Sequence, residues 1–464
     1  MCMCICNDKE DTRGRSPPFP LPHHLHPVFS PSAIMRFELA SVAVGMPLAL
    51  ACLLPEERMG SARTLKLGGD NGLEIGSGDR FSGGTIAPRG VGTQSVTLTS
   101  ILSVEEIISG LNGLKSEYDI ETFTTPYTTY EGAAIVGGKI GGAGTADTDY
   151  HVYLNGGIHA RERGGPDGLL YFLGDLLYAD KNGVGLQFGS QSYTNAQVKT
   201  ALSVGIVFVP LSNPDGVAYD QSSNSCWRKN RNPASSTSGV GVDLNRNFDF
   251  LWDLSQFASS VRGGVASTRP ASEVFHGTAP FSEPETKAIK WVMDTFTKVR
   301  WFVDLHSYTG DILYSWGSDE NQSEDPAMNF LNHTYDGVRG VLSDTPGSGS
   351  AYGEYVPADE NAANVGAARR VGAAMSAAAQ RSYAVVPASA LYATSGASDD
   401  YSFSRHFADP TKNLIHGYTV EFGFGNDDAS CPFYPTQEQH NANVAEISAG
   451  FMELLLAAVE YGLE

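Results

Sequence analysis

The stretch Tyr153-Leu-Asn-Gly-Gly-Ile-His-Ala-Arg-Glu162 decides how the rest of the chain is interpreted. The apolar residues 152–154 predict a strand, and Gly156-Gly157 lets the backbone turn after it. His159 and Glu162 then follow three residues apart, a spacing that places two side chains on one face of a helical turn. An imidazole and a carboxylate so placed can bind one ion together, and zinc takes such ligands. The stretch therefore predicts part of a metal site whose third ligand lies elsewhere.

Length and composition fit a large globular protein. The 464 residues are 41% hydrophobic and 18% charged, which allows one large domain or two ordinary ones. The 51 Gly and 24 Pro indicate a loop-rich α/β or α+β protein and not a helical bundle. The formal net charge of −21 produces a field that repels nucleic acid and anionic membranes. We therefore expect no nucleic-acid partner and no stable membrane association.

The chain divides into four parts by its residue pattern. Residues 1–34 lack periodicity and are expected to be disordered or a gene-model extension. Residues 35–54 combine a charged start, an apolar stretch and small residues for cleavage, which predict a signal peptide and a secreted, extracellular protein. Residues 55–97 are rich in Gly, Ser, Thr and Arg and predict a linker or short propeptide. Residues 98–464 are then expected to form a single large domain.

Helix and strand patterns alternate from residue 98 onward. Ser103 followed by Glu106 predicts a capped helix, and residues 168–179 predict another. Residues 204–211 predict a buried strand that ends in a turn at Asn213-Pro-Asp-Gly216. Further helices are predicted over 359–380 and 444–461, and further strands over 301–305 and 418–422. This alternation predicts an α/β fold with a mixed central β-sheet and helices on both faces.

Two strand ends offer partners for the metal site. His306 directly follows the predicted strand 301–305, a rigid position for a third ligand. Glu421 lies near the end of the strand 418–422 among apolar neighbours, and a metal site that cleaves an amide needs such a carboxylate as a base. Each residue alone has a plainer explanation, because a lone His is usually structural and a strand-end Glu usually lies at the surface or in an ion pair.

Two short polar clusters add further candidates. They are Trp227-Arg-Lys-Asn-Arg231 and Asp243-Leu-Asn-Arg-Asn-Phe248. An Arg near a metal can stabilise a developing oxyanion, and an Asn-Arg pair can bind a carboxylate through a fork of donors. Surface ion pairs are the plainer explanation, but the order of these clusters after Asn213-Pro-Asp-Gly216 argues against it.

Together these motifs resemble the zinc carboxypeptidases of the pancreatic A and B type. The matching pieces are Gly157-Ile-His-Ala-Arg-Glu162, Asn213-Pro-Asp-Gly216, Trp227-Arg-Lys229, Gly241-Val-Asp-Leu-Asn-Arg-Asn247, Phe275-His-Gly277, Phe281-Ser-Glu-Pro-Glu-Thr286, Leu305-His-Ser-Tyr308, Leu391-Tyr392 and Thr419-Val-Glu421. They fall in the family's order across about residues 98–464. Nine motifs in one order make the resemblance specific.

The resemblance implies a zinc-dependent exopeptidase. It implies one zinc ion per chain, with His159, Glu162 and His306 as ligands. It also implies hydrolysis of the C-terminal peptide bond of peptides and proteins, with zinc-bound water activated by Glu421 and the oxyanion stabilised by Arg228 and zinc. The substrate is then the C-terminus of a peptide or protein, and a monomer is expected.

The resemblance also assigns residues to the substrate. Asn245 and Arg246 would bind its terminal carboxylate, and Tyr392 would close over it as a mobile cap. An enzyme that removes only the last residue must detect a free carboxylate, and an Asn beside a buried Arg can do so. The contacts implied further back along the peptide are Arg161, Ser307 and Tyr308.

Specificity is assigned to Asp399, which lies seven residues after Tyr392. Family members with Asp at this position resemble the B type and prefer C-terminal Lys or Arg, whereas an apolar residue favours aliphatic and aromatic ends. A buried carboxylate needs a cationic partner and would select one from the substrate. We therefore expect a B-like preference. The alternative is that Asp399-Asp400 caps a loop and packs against a local cation.

Two departures from the family concern the propeptide and the cysteines. Residues 55–97 are shorter than the folded inhibitory prodomain of the pancreatic enzymes, so control by such a domain is not expected. The family has a cysteine where this chain has Val240. We hypothesise that Cys226 and Cys431 pair instead and tie the Arg228 loop to the segment after Glu421.

Two other function classes stay open. A carboxypeptidase-like binding protein without activity typically lacks ligands or the base, whereas none is missing here. A zinc deacylase of non-peptide amides has no use for a carboxylate clamp, which argues against it because Asn245, Arg246 and Tyr392 are all present.

Overall fold

The computed structural model describes residues 69–94, 96–235, 239–342 and 351–463. All of these residues belong to one compact unit. The predictions for residues 1–34 and 35–54, and for the start of segment 55–97, lie outside the described residues.

Strands and helices alternate along the described residues. The strands are β1 (Glu121–Thr128), β2 (Ala134–Ile140), β3 (Val152–Asn155), β4 (Leu186–Phe188), β5 (Gln191–Tyr193), β6 (Ile206–Val209), β7 (Trp301–Ser307), β8 (Asp311–Tyr314), β9 (Asn321–Gln322), β10 (Glu354–Tyr355), β11 (Ala384–Pro387) and β12 (His416–Phe422). The α-helices are α1 (Val91–Gln94), α2 (Val104–Tyr118), α3 (Gly165–Asn182), α4 (Asn195–Ser203), α5 (Pro214–Ser223), α6 (Arg262–Val265), α7 (Pro284–Thr295), α8 (Ala358–Ala379), α9 (Ser398–Ala408) and α10 (Gln437–Tyr461).

Eight strands form one mixed sheet in the order β1-β2-β6-β3-β7-β12-β8-β11. The central strands β6, β3, β7 and β12 run parallel to one another. The sheet becomes antiparallel at β2 on one side and at β8 on the other. The carboxyl ends of β3, β7 and β12 therefore meet at one end of the sheet, the place where open α/β sheets bind ligands.

Helices cover both faces of this sheet, as predicted. Strand β3 shows the alternation: Val152 and Leu154 enter one hydrophobic cluster, and Tyr153 enters the other. The first cluster includes side chains of α2, α3, α8 and α10, and the second includes side chains of α7 and α9. Burial of each large apolar side chain contributes about 1.5–3 kcal/mol to the stability of the fold. Because the central strands bury side chains on both faces, they are held firmly in place.

Capping residues mark the starts of two helices, α2 and α5. The capping box of α2 is confirmed, since Ser103 Oγ accepts a hydrogen bond from Glu106 N and the Glu106 carboxylate accepts one from Ser103 N. The predicted turn at Asn213-Pro-Asp-Gly216 is wrong. Asn213 caps helix α5, and its Oδ1 accepts from Gly216 N at 3.0 Å. A Pro after a capping Asn also suits a first helical turn, and the strand before it leaves room for a helix.

Residues 69–94, which we call the N-terminal strap, pack against the rest of the fold. Phe81 is 3% exposed, and Arg80 pairs with Glu106 of α2 at 2.7 Å. The buried Asp175 carboxylate of α3 accepts hydrogen bonds from Gly92 N and Thr93 N. This part of the predicted linker or short propeptide is thus integrated into the packed unit.

Helix α10 is long and apolar. Among the described residues it alone has the length and hydropathy of a membrane span, with a mean hydropathy of 1.5. However, 72% of that apolar window is buried inside the fold, where Val444, Ile447 and Phe451 join the first core cluster. The helix therefore has the burial of a core helix.

Candidate metal centre and active site

Three buried side chains meet where β3 and β7 end. His159 Nδ1 lies 2.8 Å from Glu162 Oε1, and His306 Nδ1 lies 3.0 Å from His159 Nδ1 and 3.1 Å from Glu162 Oε2. One ligand atom from each residue lies within 4.8 Å of the others. The structure thus brings together the three predicted metal ligands, which come from positions up to 147 residues apart.

A turn between β3 and α3 positions the first two ligands. Glu162 N donates to His159 O at 3.3 Å, so the predicted helical turn exists, but α3 itself begins only at Gly165. Gly157 has a φ of +68°, and a Cβ there would lie 2.8 Å from Leu211 Cδ1. Glycine therefore allows the chain to turn sharply after β3.

Two further carboxylates hold the imidazole rings. Asp243 Oδ1 lies 3.0 Å from His159 Nε2, and Asp304 Oδ2 lies 3.4 Å from His306 Nε2. A carboxylate at Nε2 favours the tautomer that carries its proton there, so the lone pair of Nδ1 faces the centre of the triad. Two such lone pairs and a carboxylate repel one another unless a cation lies between them. The donor set therefore fits zinc.

Both carboxylates that contact His159 favour the ionised form. Burial would raise the pKa of Glu162, but the adjacent His159 and His306 rings outweigh burial and lower it. Burial would likewise raise the pKa of Asp243, but Arg228 and His159 outweigh it and lower that pKa. Both carboxylates are therefore ionised beside the triad, which favours a bound cation there.

Arg228 lies beside the triad. Its Nε and Nη2 donate to Asp243 Oδ2 at 3.1 and 3.0 Å, and its Nη1 lies 3.9 Å from Glu162 Oε1. The side chain is 1% exposed. Asp243 thus joins the guanidinium to the ligand His159 and fixes a cationic donor next to the metal centre.

Glu421 lies beside His306 across the sheet. Strands β7 and β12 pair in parallel, with His306 opposite Glu421. Residues that pair across neighbouring strands project from the same face, so both side chains point the same way. Glu421 is fully buried, and its backbone carbonyl accepts from Gly310 N at 2.9 Å. The Glu421 carboxylate thus lies in low-dielectric surroundings beside His306, where it can exchange protons at the metal centre.

The predicted carboxylate clamp forms a second group. Arg246 donates from Nη2 to the Tyr392 hydroxyl at 3.2 Å and from Nε to Val265 O at 2.9 Å. Asn245 Oδ1 accepts from Ser398 N at 2.8 Å. Asn245 N also donates to Asp243 Oδ1 at 3.2 Å, which ties this group to the metal centre.

A third group contains the residues predicted to contact the peptide further back. The Arg161 guanidinium lies 4.3 Å from the centre of the Phe433 ring, and the Tyr308 ring packs edge-on against the same ring at 4.7 Å. Ser307 N donates to Glu162 Oε2 at 3.2 Å. Phe433, which the sequence did not indicate, is the platform that brings Arg161 and Tyr308 together.

Asp399 lies in the first turn of α9 and is 2% exposed. Burial raises its pKa, and burial together with repulsion from Asp399 raises the pKa of the neighbouring Asp400. Asp400 Oδ1 accepts from Gly317 N at 2.8 Å. The preceding Ser398 donates its hydroxyl to Asp304 at 2.6 Å, which connects this helix start to the His306 environment.

Sequence reasoning missed the roles of Asp243 and Asp304. Asp304 lies two residues before His306 on β7, so their side chains share a face of the strand. That alternation is a signal that could have identified it. The hypothesised pairing of cysteines is confirmed, because a disulfide joins Cys226 and Cys431, whose Cα atoms lie 5.6 Å apart.

A cavity of about 1000 Å³ lies next to the clamp. Its lining includes Val265, Arg269, Leu342 and Tyr392, but none of the three metal ligands. Tyr392 therefore lies between this cavity and Arg246.

Comparison with known proteins agrees with this geometry. The family model described as zinc carboxypeptidase matches residues 108–447, which include the metal ligands, the clamp and Glu421. Mouse carboxypeptidase A2 is 32% identical over 166 residues, which are 36% of this chain and 35% of that protein. The inactive metallocarboxypeptidase ECM14 of Arthroderma otae is 33% identical over 200 residues, which are 41% of this chain and 30% of that protein. This chain thus spans about a third of the length of either relative.

A solved structure shares the fold. Thrombin activatable fibrinolysis inhibitor superposes with a TM-score of 0.56 and 22% sequence identity over 78% of this chain and 75% of that one. At this level of identity the similarity supports the architecture alone. The match of the zinc carboxypeptidase model to most of the chain, together with the metal-ligand triad, shows that this chain belongs to the zinc carboxypeptidase family.

Proposed function

We propose that this chain is a secreted, monomeric exopeptidase that uses one zinc ion to hydrolyse the C-terminal peptide bond of peptides and proteins. The observation that carries the proposal is the convergence of His159, Glu162 and His306 within 4.8 Å, beside Arg228 and Glu421. Secretion is supported by the Cys226–Cys431 disulfide, since such bonds persist mainly in oxidising compartments.

The triad would hold the metal through His159 Nδ1, His306 Nδ1 and the Glu162 carboxylate. Bound there, zinc supplies Lewis acidity, which lowers the pKa of water and polarises a carbonyl. Asp243 keeps the Nδ1 lone pair of His159 available by accepting a hydrogen bond at Nε2, and Asp304 Oδ2 lies 3.4 Å from Nε2 of His306.

Glu421 is the proposed general base. It lies opposite His306 on the neighbouring strand and is fully buried, so its carboxylate is held in a water-poor site beside the metal ligands. It would take a proton from the attacking water and deliver that proton to the leaving nitrogen. The strand position gives it little freedom to move away.

Arg228 is the proposed oxyanion stabiliser. Asp243 orients its guanidinium through two hydrogen bonds, and its Nη1 lies near Glu162. Preorganised donors of this kind contribute about a hundredfold to a thousandfold to kcat. The buried setting strengthens the effect because little water competes for the developing charge.

Asn245, Arg246 and Tyr392 are the proposed clamp for the terminal carboxylate. The Tyr392 hydroxyl already contacts Arg246, so the cap lies over the cation that would bind the substrate. The residues proposed to contact the peptide further back are Arg161, Ser307 and Tyr308. Asp243 connects the clamp and the metal centre, because its Oδ1 contacts both Asn245 N and His159 Nε2.

Asp399 is proposed to select C-terminal Lys or Arg. Its carboxyl is buried, and burial raises its pKa, so a cationic side chain in the same space would stabilise the ionised form. The alternative is that both acids are structural at the start of α9, because Asp399 and Asp400 each accept backbone hydrogen bonds.

A non-catalytic binding protein is the second candidate, because one relative is named as an inactive metallocarboxypeptidase. Against it, the ligand triad is complete and Glu421 is in register with His306. A zinc deacylase is a third candidate, and the Asn245, Arg246 and Tyr392 group argues against it.

One assay separates these functions. Blocked dipeptides ending in Arg, in Phe or in an amidated residue are incubated with the protein, with and without a zinc chelator. We expect release of the free C-terminal residue, faster for Arg, absent for the amide and abolished by the chelator. Hydrolysis of the amide at a similar rate would favour the deacylase, and no hydrolysis of any substrate would favour the binding protein.

A further inference from the structure

The carboxylate of Asp220 lies fully buried in the last turn of helix α5. Its Oδ2 accepts hydrogen bonds from Arg163 Nε at 3.0 Å and Nη2 at 2.9 Å. Its Oδ1 accepts from Trp227 N at 2.8 Å and from the Tyr434 hydroxyl at 2.6 Å. One side chain thus accepts four hydrogen bonds from three separate segments of the chain.

Tyr434 extends this network to the disulfide. Its hydroxyl accepts from Cys226 N at 2.7 Å while it donates to Asp220, and its ring packs 3.5 Å from the Arg163 guanidinium. Burial raises the pKa of Tyr434, so the hydroxyl keeps the proton that it donates. Cys226 is bonded to Cys431, three residues before Tyr434, so the same two segments are joined twice.

Two of the three joined segments carry a residue of the proposed active site. Arg163 follows the metal ligand Glu162 directly, and Trp227 precedes Arg228 directly. Between these two segments, Ala160 N donates to Arg228 O at 3.1 Å. Asp220 contacts both the Arg163 segment and the Trp227 segment. The position of the Arg228 side chain relative to the metal ligands therefore depends on how Asp220 holds these two segments together.

We propose that Asp220 is a positioning residue that sets the Arg228 guanidinium at the oxyanion site by joining the Arg163, Trp227 and Tyr434 segments. This inference rests on the proposed function. Asp220 itself contacts neither the ligands nor the substrate site, so its effect passes through the backbone at Trp227. Displacement of a catalytic group by about 1 Å can lower the rate by about a hundredfold.

Two nearly isosteric variants test this role. In Asp220→Asn the new amide group must face either the Arg163 donors or the Trp227 and Tyr434 donors, so one side of the network loses its acceptor. Tyr434→Phe removes only the hydroxyl and keeps the ring on Arg163. Asp175→Asn is the control, because Asp175 is an equally buried carboxylate that accepts from Gly92 and Thr93, which belong to the strap.

The measurements are kcat, KM, zinc content, thermal stability and the inhibition constant of a peptide phosphonate, whose tetrahedral anion resembles the transition state. Both network variants should retain zinc and change KM less than about threefold. Asp220→Asn should lower kcat by about tenfold to a hundredfold. Phosphonate affinity should fall in proportion to kcat/KM. Tyr434→Phe should show the same pattern with a smaller change, and it carries the test if Asp220→Asn does not fold. Asp175→Asn should lose stability only.

Three results would overturn the inference. They are unchanged kcat in the network variants, loss of kcat equal to that of the Asp175 control, and loss of kcat without loss of phosphonate affinity. The wild-type protein is measured in the same assay. If it does not hydrolyse peptide C-termini, the proposed function fails together with this inference, whereas an active wild type with unaffected variants contradicts the inference alone.

Discussion

At the scale of single residues, Asp243 links the three parts of the proposed active site. It accepts hydrogen bonds from the ligand His159, from Arg228 and from the backbone of Asn245. A buried carboxylate with these partners stays ionised and keeps each donor in place. The geometry of the metal centre, the oxyanion donor and the clamp therefore depends on one side chain.

Ligand spacing and strand ends indicated candidates, and the order of the motifs, through the family resemblance, then assigned the metal ligands and proposed Glu421 as the base. The role of Asp243 could not be predicted, because it depends on distances between segments that are 84 residues apart in the chain. Phe433 was missed for the same reason, since only the folded chain shows Arg161 and Tyr308 on one ring.

Glu421 gives the first prediction at this scale. Glu421→Gln keeps the size of the side chain but removes its ability to accept a proton, so turnover should fall by at least about a hundredfold. Zinc content and peptide binding should stay at wild-type levels, because neither depends on that proton. Steady-state kinetics with metal analysis checks this, and turnover near the wild-type rate would remove Glu421 from the mechanism.

Glu285 gives a prediction for pH. It is buried in α7, its Oε2 accepts from Asn230 Nδ2 at 3.1 Å, and burial raises its pKa from 4.5 to about 8, with Glu283 and Asp215 adding repulsion. Between these two pH values the folded chain holds a proton that the unfolded chain has lost. The contribution of Glu285 to stability is therefore fully present below pH 4.5 and is lost as the pH rises to about 8.

The Gln side chain of the Glu285→Gln variant cannot ionise. The variant should therefore not show the loss of stability that Glu285 causes as the pH rises. The unfolding free energy of the variant should rise relative to wild type with increasing pH, by at most about 1.4 kcal/mol per pH unit. Urea denaturation at several pH values between 5 and 8 measures the difference. If the unfolding free energies of the two proteins changed with pH in parallel, the prediction would be contradicted.

At the scale of secondary-structure elements, periodicity predicted the sheet and the long helices, but it misjudged the parts whose structure depends on tertiary contacts. The Asn213 motif is a different case, because an Asn cap followed by Pro fits a helix start as well as a turn. The strap has few long apolar runs, so its composition resembles a linker. Its order depends on contacts with distant residues, such as Arg80 with Glu106 and Leu73 N with Pro435 O at 2.7 Å.

The strap should therefore be needed for stability. A protein beginning at residue 98 loses the Arg80 and Thr93 partners of the buried carboxylates Glu106 and Asp175, and it uncovers the surface beneath Phe81. Its unfolding free energy should fall by about 3 kcal/mol or more relative to a protein beginning at residue 69. Chemical denaturation of both proteins gives the comparison, and equal stabilities would show that the strap is dispensable. We accordingly expect any maturation cleavage to lie before residue 69.

At the scale of the whole molecule, the fold serves to bring distant segments to one point. The parallel strands β3, β7 and β12 end together, and the pairing becomes antiparallel at β8. Helices on both faces bury the strands completely, which fixes the ligand positions. The alternation of strand and helix patterns from residue 98 onward predicted this architecture.

The most direct test of the account is the zinc content per chain of the purified wild-type protein and of His306→Ala, measured by elemental analysis after dialysis. The account predicts one zinc ion in the wild type and a large loss of zinc in the variant, since two remaining ligands bind the ion weakly. Full zinc content in His306→Ala, or no zinc in an active wild-type protein, would contradict it.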